Sequence, residues 1–142
     1  MFFGEYRHSL DSKNRIIVPA KLRQELGATF TLTKGLDGCL NIYTNNEWNQ
    51  RLEKLLKLPQ TKKEVRMYIR SLTSKATVCE CDAQGRIQIP SFLKTEGNLV
   101  KNCVIVGAGD HVEVWAEELW DNYLVSANES LEDIAESLTE YM

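Results

Sequence analysis

A β-rich α+β fold built from two copies of one small unit is what this sequence predicts, and three observations predict it. At an offset of 71 the 142-residue chain aligns Asp11, Arg15, Ile16, Val18, Pro19 and Leu22 with Asp82, Arg86, Ile87, Ile89, Pro90 and Leu93. One residue of slip, an offset of 72, then aligns Leu32, Gly35, Leu40, Ile42, Tyr43 and Trp48 with Val104, Gly107, Val112, Val114, Trp115 and Trp120, the mark of a tandem duplication. The aligned apolar runs are short and separated by Asp, Asn and Gly, as strands with tight turns require. A unit of half this length would leave too much apolar surface wet, so the two copies are expected to pack together.

Each copy reads as strand, tight turn, strand, short helix, strand, turn, strand and helix. The first turns are Asp11 to Asn14 and Asp82 to Gly85. Asp bonds the backbone ahead of it, while Asn14 and Gly85 tolerate a positive φ that β-branched residues resist. Pro19 and Pro90 close the second strand of each copy and open helices over Ala20 to Leu26 and Ser91 to Glu96, because proline suits a first helical position. Leu36-Asp37-Gly38 and Gly107-Ala-Gly-Asp110 sit between strand-like runs as hairpin turns. Thr44-Asn-Asn-Glu47 fits a capping box for a helix reaching about Leu58, and Thr61-Lys-Lys-Glu64 fits a second one just past Pro59, so a helical pair should link the halves. Leu131, Ile134, Ala135, Leu138 and Tyr141 share one face of a last amphipathic helix, expected to pack back on the protein.

Composition narrows the function. The net charge of −3 hides a strong asymmetry: residues 1 to 76 hold 14 Lys or Arg against 7 Asp or Glu, whereas residues 77 to 142 hold 3 against 13. Arg51 to Lys75 alone carries 8 basic and 2 acidic residues, and no Lys or Arg follows Lys101. One end is suited to attract phosphate and the other to repel it. The basic middle also reads as a solvated or partner-facing helical surface. A subunit with basic and acidic ends can attract its neighbour head to tail, and a contact of that kind makes a ring where it closes. No apolar run spans a bilayer, and Met1-Phe2-Phe3-Gly4-Glu5 lacks the features of a secretory signal, so the chain is expected in the cytoplasm. Cys39, Cys79, Cys81 and Cys103 lie in apolar strand-like segments without paired zinc spacing and read as structural. No catalytic constellation, metal cluster or cofactor loop stands at a convincing spacing. His8 and His111 read as strand residues bonding a neighbour, and Gly107-Ala-Gly109 as a turn.

The motif that carries chemistry is Asp-x-x-x-Arg, present as Asp11-Ser-Lys-Asn-Arg15 and Asp82-Ala-Gln-Gly-Arg86. If the copies pair about a pseudo-two-fold axis, Arg15 and Arg86 share one surface, where a planar guanidinium can grip a phosphate or a guanine edge bidentately. Lys13 and Arg7 would widen that surface. The competing reading is that Asp and Arg simply pin each turn through a salt bridge. Spacing alone leaves both open.

A resemblance adds to this reading. Met1-Phe2, Gly4-Glu5-Tyr6, His8, Leu10-Asp11, Lys13, Arg15, Pro19, Lys21-Leu22-Arg23, Gly35 to Leu40, and Asp82 with Gly85-Arg86-Ile87, Ile89 and Pro90 resemble the MraZ family from residue 1 to the acidic final helix. That family is similar in turn to the AbrB and SpoVT DNA-binding fold, which implies a double-split β-barrel with both repeats in one chain. The expected division is a first repeat over 1–48, linking helices over 49–75, a second repeat over 76–120 and an acidic C-terminal helix over 121–142. The resemblance implies a transcriptional regulator on double-stranded DNA, associated with the nucleoid. It would bind repeated promoter boxes of the division and cell-wall gene cluster, its own promoter included. It also implies ring-like homo-oligomers and, as an alternative, action on a neighbouring methyltransferase. The family motif falls on Asp11, Arg15, Asp82 and Arg86, with Arg15, Arg86, Lys13 and Arg7 expected at DNA and Asp11, Asp82, Asn14 and Gly85 holding the turns. Asn14 stands where the family more often has Gly, and Arg7 where an acid or neutral residue is common.

Overall fold

The computed structural model describes residues 1–142. The first copy runs β1 (Glu5–Ser9), β2 (Arg15–Ile17), α1 (Ala20–Leu26), β3 (Phe30–Lys34), β4 (Leu40–Thr44) and α2 (Asn45–Leu56). Helix α3 (Lys63–Ser74) leads into the second copy, β5 (Thr77–Cys79), β6 (Arg86–Gln88), α4 (Ser91–Glu96), β7 (Asn102–Gly107), β8 (Val112–Ala116) and α5 (Glu117–Glu129). Helix α6 (Leu131–Ser137) and a 3-10 turn at Thr139–Tyr141 end the chain.

The strands form a six-stranded sheet, ordered β1-β7-β8-β4-β3-β5, and a two-stranded ribbon, β2-β6. Substituting each strand by its repeat equivalent reverses the six-stranded order onto itself, so a pseudo-two-fold axis passes between β8 and β4. There Asn41 faces its own equivalent, Glu113. The same axis crosses the ribbon where Ile16 faces Ile87. The copies are interleaved: β1 of the first copy pairs with β7 of the second, and β5 of the second with β3 of the first.

Strand alternation fills the space between sheet and ribbon. Phe30, Leu32, Leu40, Ile42, Ile105, Val112 and Val114 point inward from the sheet, and Ile16, Val18, Ile87 and Ile89 meet them from the ribbon side. Leu22 and Leu93 close the core from α1 and α4. The outward face of the sheet is covered in two patches. Val104 and Trp115 pack with Trp120 of α5, while Thr33 donates to the Leu72 carbonyl of α3 at 2.8 Å. All four cysteines are free thiols. Burial pushes Cys39 up to about 12 and Cys79 and Cys103 up to about 11, so they behave as small apolar residues.

Two local expectations differ from the structure. The Thr61 capping box does not form: α3 begins one residue later, with Lys62 before it and no side-chain cap. Instead Arg66 Nη1 donates to the carbonyls of Gln60 and Thr61 at 3.1 and 2.9 Å, anchoring the linker from inside the helix. At Thr44 the cap is real, its hydroxyl accepting the Glu47 N–H at 3.1 Å, although the Glu47 carboxylate turns to Arg51 rather than back to the cap. The last helix does not pack back either. The chain breaks at Ser130, and Leu131, Ile134, Leu138 and Tyr141 of the expected buried face are all exposed.

Candidate nucleic-acid interface

Each Asp-x-x-x-Arg motif folds into a closed turn for a local reason. The Asp11 carbonyl accepts the Asn14 N–H at 3.0 Å, and the Arg15 carbonyl accepts the Asp11 N–H at 2.9 Å. Asp11 Oδ1 then takes the backbone N–H groups of Lys13 and Arg15, both at 2.9 Å. The second copy repeats this, with Asp82 Oδ1 accepting from Gln84 and Arg86 N–H at 2.9 Å each. The turn requires a left-handed residue at its fourth position, met by Asn14 at φ 58° and Gly85 at φ 78°. The backbone N–H of Arg15, acting against some desolvation and helped by the other donors, holds the Asp11 carboxyl below the usual carboxylate range. The Arg86 N–H does the same for Asp82.

The second carboxylate oxygen holds the arginine. Arg15 Nε donates to Asp11 Oδ2 at 2.7 Å and Arg86 Nε to Asp82 Oδ2 at 2.9 Å. The terminal guanidinium nitrogens make no hydrogen bond within the chain; Arg86 Nη1 stands 3.8 Å from Asp11 Oδ2. The two readings of the motif are therefore compatible. Asp pins the turn and aims the guanidinium through Nε, while the bidentate edge stays available. The side chains are 27% and 25% exposed, seated on the surface rather than waving in solvent.

The ribbon brings the two motifs together. Val18 N–H donates to the Gly85 carbonyl at 2.9 Å and Ile89 N–H to the Asn14 carbonyl at 2.8 Å, so each turn is tied to the opposite copy. Lys13 is exposed at the tip of the first turn, and its carbonyl accepts from Gln88 Nε2 at 3.0 Å. Arg7 lies elsewhere. It sits on β1 and pairs with Asp121 at 2.8 Å, Glu117 at 3.4 Å and Glu5 at 3.5 Å, fastening the sheet edge to α5.

Two residues that sequence reasoning missed support the turns from the opposite copy. Lys94 of α4 donates to Asn14 Oδ1 at 3.1 Å, and the Arg23 guanidinium of α1 lies over Gly85, where any β-carbon would run into it. Arg23 and Lys94 are equivalent at the offset of 71, next to the aligned Leu22 and Leu93, so the repeat itself held the signal. The departure at Asn14 is thus accommodated: where Arg23 covers a glycine, the shorter-headed Lys94 meets an asparagine.

The basic segment lies across the sheet from the ribbon. Arg51 is held by Glu47 at 3.0 Å and Asp110 at 2.7 Å and stacks over Tyr43, while Lys75 reaches Glu96 at 3.6 Å. Lys54, Lys57, Lys62, Lys63 and Arg70 remain exposed on α2, α3 and the turn between them. Beneath these helices a cavity of about 400 Å³ opens against Tyr43, His111 and Glu113. His111 bridges Asp110 at 2.8 Å and Glu113 at 2.9 Å there. Every buried side-chain nitrogen and oxygen has a partner. No helix is long and apolar enough to cross a membrane.

A family model described as "MraZ protein, putative antitoxin-like" matches residues 1–71 and again 72–141, two successive copies as in the internal repeat. The chain is similar to the "Transcriptional regulator MraZ" of Ligilactobacillus salivarius, 50% identical over 141 residues and covering 99% of each chain. Proteins of the same name from Natranaerobius thermophilus and Caldanaerobacter subterraneus are 49% and 46% identical, again over 99% of both chains. With both halves matched and the likeness continuous from end to end, the chain belongs to the MraZ family.

Proposed function

We propose that this chain is a transcriptional regulator that binds double-stranded DNA through the β2–β6 ribbon and its two turns. Arg15 and Arg86 contact the duplex, Lys13 adds a phosphate contact, and Asp11, Asp82, Asn14 and Gly85 hold the geometry. The observation that carries this reading is the pair of guanidinium groups fixed through Nε by their own turns, with their terminal nitrogens making no hydrogen bond within the chain and Arg86 Nη1 in only a long ion pair to Asp11. The relatives, named as transcriptional regulators, support the same reading. Arg7, already matched by Glu5, Glu117 and Asp121, is assigned to the fold rather than to DNA.

The finer reading is a double-split β-barrel, with the six-stranded sheet and the ribbon as its parts, acting in the cytoplasm on nucleoid DNA. Repeated boxes upstream of the division and cell-wall gene cluster, its own gene included, are the operator we infer. A homo-oligomeric ring suits such boxes, because after the first contact the others become intramolecular. The exposed basic side chains of α2 and α3 and the acidic surface of α5 and α6 supply opposite signs for a head-to-tail contact.

The test is DNA binding to the region upstream of the chain's own gene, with wild type and an Arg15→Ala, Arg86→Ala double variant across a salt series. Wild-type affinity should fall about 10³- to 10⁵-fold between roughly 50 and 200 mM salt if six to ten phosphates are neutralised. The double variant should bind far more weakly with a shallower salt slope. Equal retention of both proteins overturns the arginine assignment.

A further inference from the structure

We propose that Ile17 and Gln88, the two remaining outward side chains of the ribbon, are the sequence-reading residues of the interface, and that they read its two halves differently. This rests on the DNA-binding reading above and adds to it which groups distinguish one base pair from another.

Alternation along β2 and β6 buries Ile16 and Ile87 and turns Arg15, Ile17, Arg86 and Gln88 outward. Register sets Arg15 opposite Gln88 and Ile17 opposite Arg86, so each half of the ribbon face is one arginine beside one further side chain. The arginines are identical in the two halves, down to the Asp that holds Nε. Ile17 and Gln88 occupy equivalent positions and are chemically unlike. Both are exposed, Ile17 by 43%. Lys13 and Gln84, at the equivalent turn tips, differ as well, so the unlikeness extends from the ribbon to the turn tips.

The chemistry of each follows from its setting. Gln88 Nε2 donates one hydrogen to the Lys13 carbonyl, which fixes the amide plane and leaves Oε1 and the second hydrogen for a ligand. An acceptor and a donor side by side match the N6 and N7 edge of adenine. Ile17 offers only an apolar end, which suits the C5 methyl of thymine in the major groove. A two-stranded antiparallel ribbon is narrow enough to enter that groove. The arginines, equal in both halves, give grip to both. The residues between them give each half its own preference, so one chain reads an asymmetric site.

The experiment is selection of bound duplexes from a randomised pool by wild type, Ile17→Gln and Gln88→Ile, followed by titration on the wild-type winner and on a scrambled duplex at low and moderate salt. We expect all three proteins to unfold cooperatively, with Gln88→Ile giving up a small part of its midpoint along with the bond to the Lys13 carbonyl, and affinity for scrambled duplex to move much less than affinity for the winner. Each variant should lose about 5- to 150-fold of the discrimination between winner and scrambled DNA, the range for one base-specific contact. Each should also enrich a changed base in one half of the site only. Variants that enrich the wild-type sequence with undiminished discrimination would refute the inference while leaving the arginine assignment standing. Wild type that retains no duplex at all would remove both.

Discussion

Asn14 and Gly85 do the same conformational task with different side chains, and each is matched to what covers it. Gly85→Ala forces a β-carbon into a left-handed backbone and toward Arg23, so a loss of about 1–2 kcal/mol is expected from the backbone alone. Asn14→Gly relaxes its own backbone but gives up the bond from Lys94, and should change stability by no more than about 1 kcal/mol. Urea unfolding of the two variants checks the contrast; similar losses would mean the covering residues do not matter. His111 makes a second residue-scale case. Burial of its ring works to lower the pKa, yet Glu113 and Asp110 outweigh it and the group lies above its ordinary value of 6.5. A raised histidine contributes stability that is fully present below about 6.5 and is lost as pH rises through the folded value. The wild type should therefore lose midpoint relative to His111→Gln as pH rises above about 6.5, and parallel curves for the two would contradict it.

At the scale of elements, the helices separate capping that forms from capping that the sequence only permits. Thr44→Ala removes an acceptor from the Glu47 N–H and should cost about 1 kcal/mol. Thr61→Ala removes nothing from α3 and should fall within about 0.5 kcal/mol of wild type. Chemical denaturation of both variants decides this, and an equal cost would restore the second box. Short α1 and α4 were legible to the residue, because proline at one end and a leucine facing the core leave little freedom. The break between α5 and α6 was not, since Leu131, Ile134 and Leu138 keep helical spacing whether or not anything covers them. Periodicity records which face is apolar, not what it meets.

The whole molecule depends on exchange between the copies. Strand β1 finds its partner in β7, β5 in β3, and β2 in β6, so each half alone has unpaired strands and an open core. Residues 1–75 and 76–142 expressed separately should show little cooperative unfolding and should regain it when mixed. Circular dichroism melts of each fragment and of the equimolar mixture test this, and a cooperatively folded single fragment would count against it.

The sequence by itself determined the duplication, the strand and helix types, the two turns and the side chains at their tips, because turn chemistry and alternation are written in adjacent residues. Only the tertiary structure decided that β1 and β2, joined by five residues, leave each other for different sheets in the opposite copy. It also decided that Arg7 faces carboxylates, that Arg23 and Lys94 brace the turns across the axis, and that Ile17 and Gln88 share a surface with Arg15 and Arg86. Those outcomes turn on which pairing buries the most apolar surface while satisfying the backbone, and that balance is struck among residues far apart in the chain.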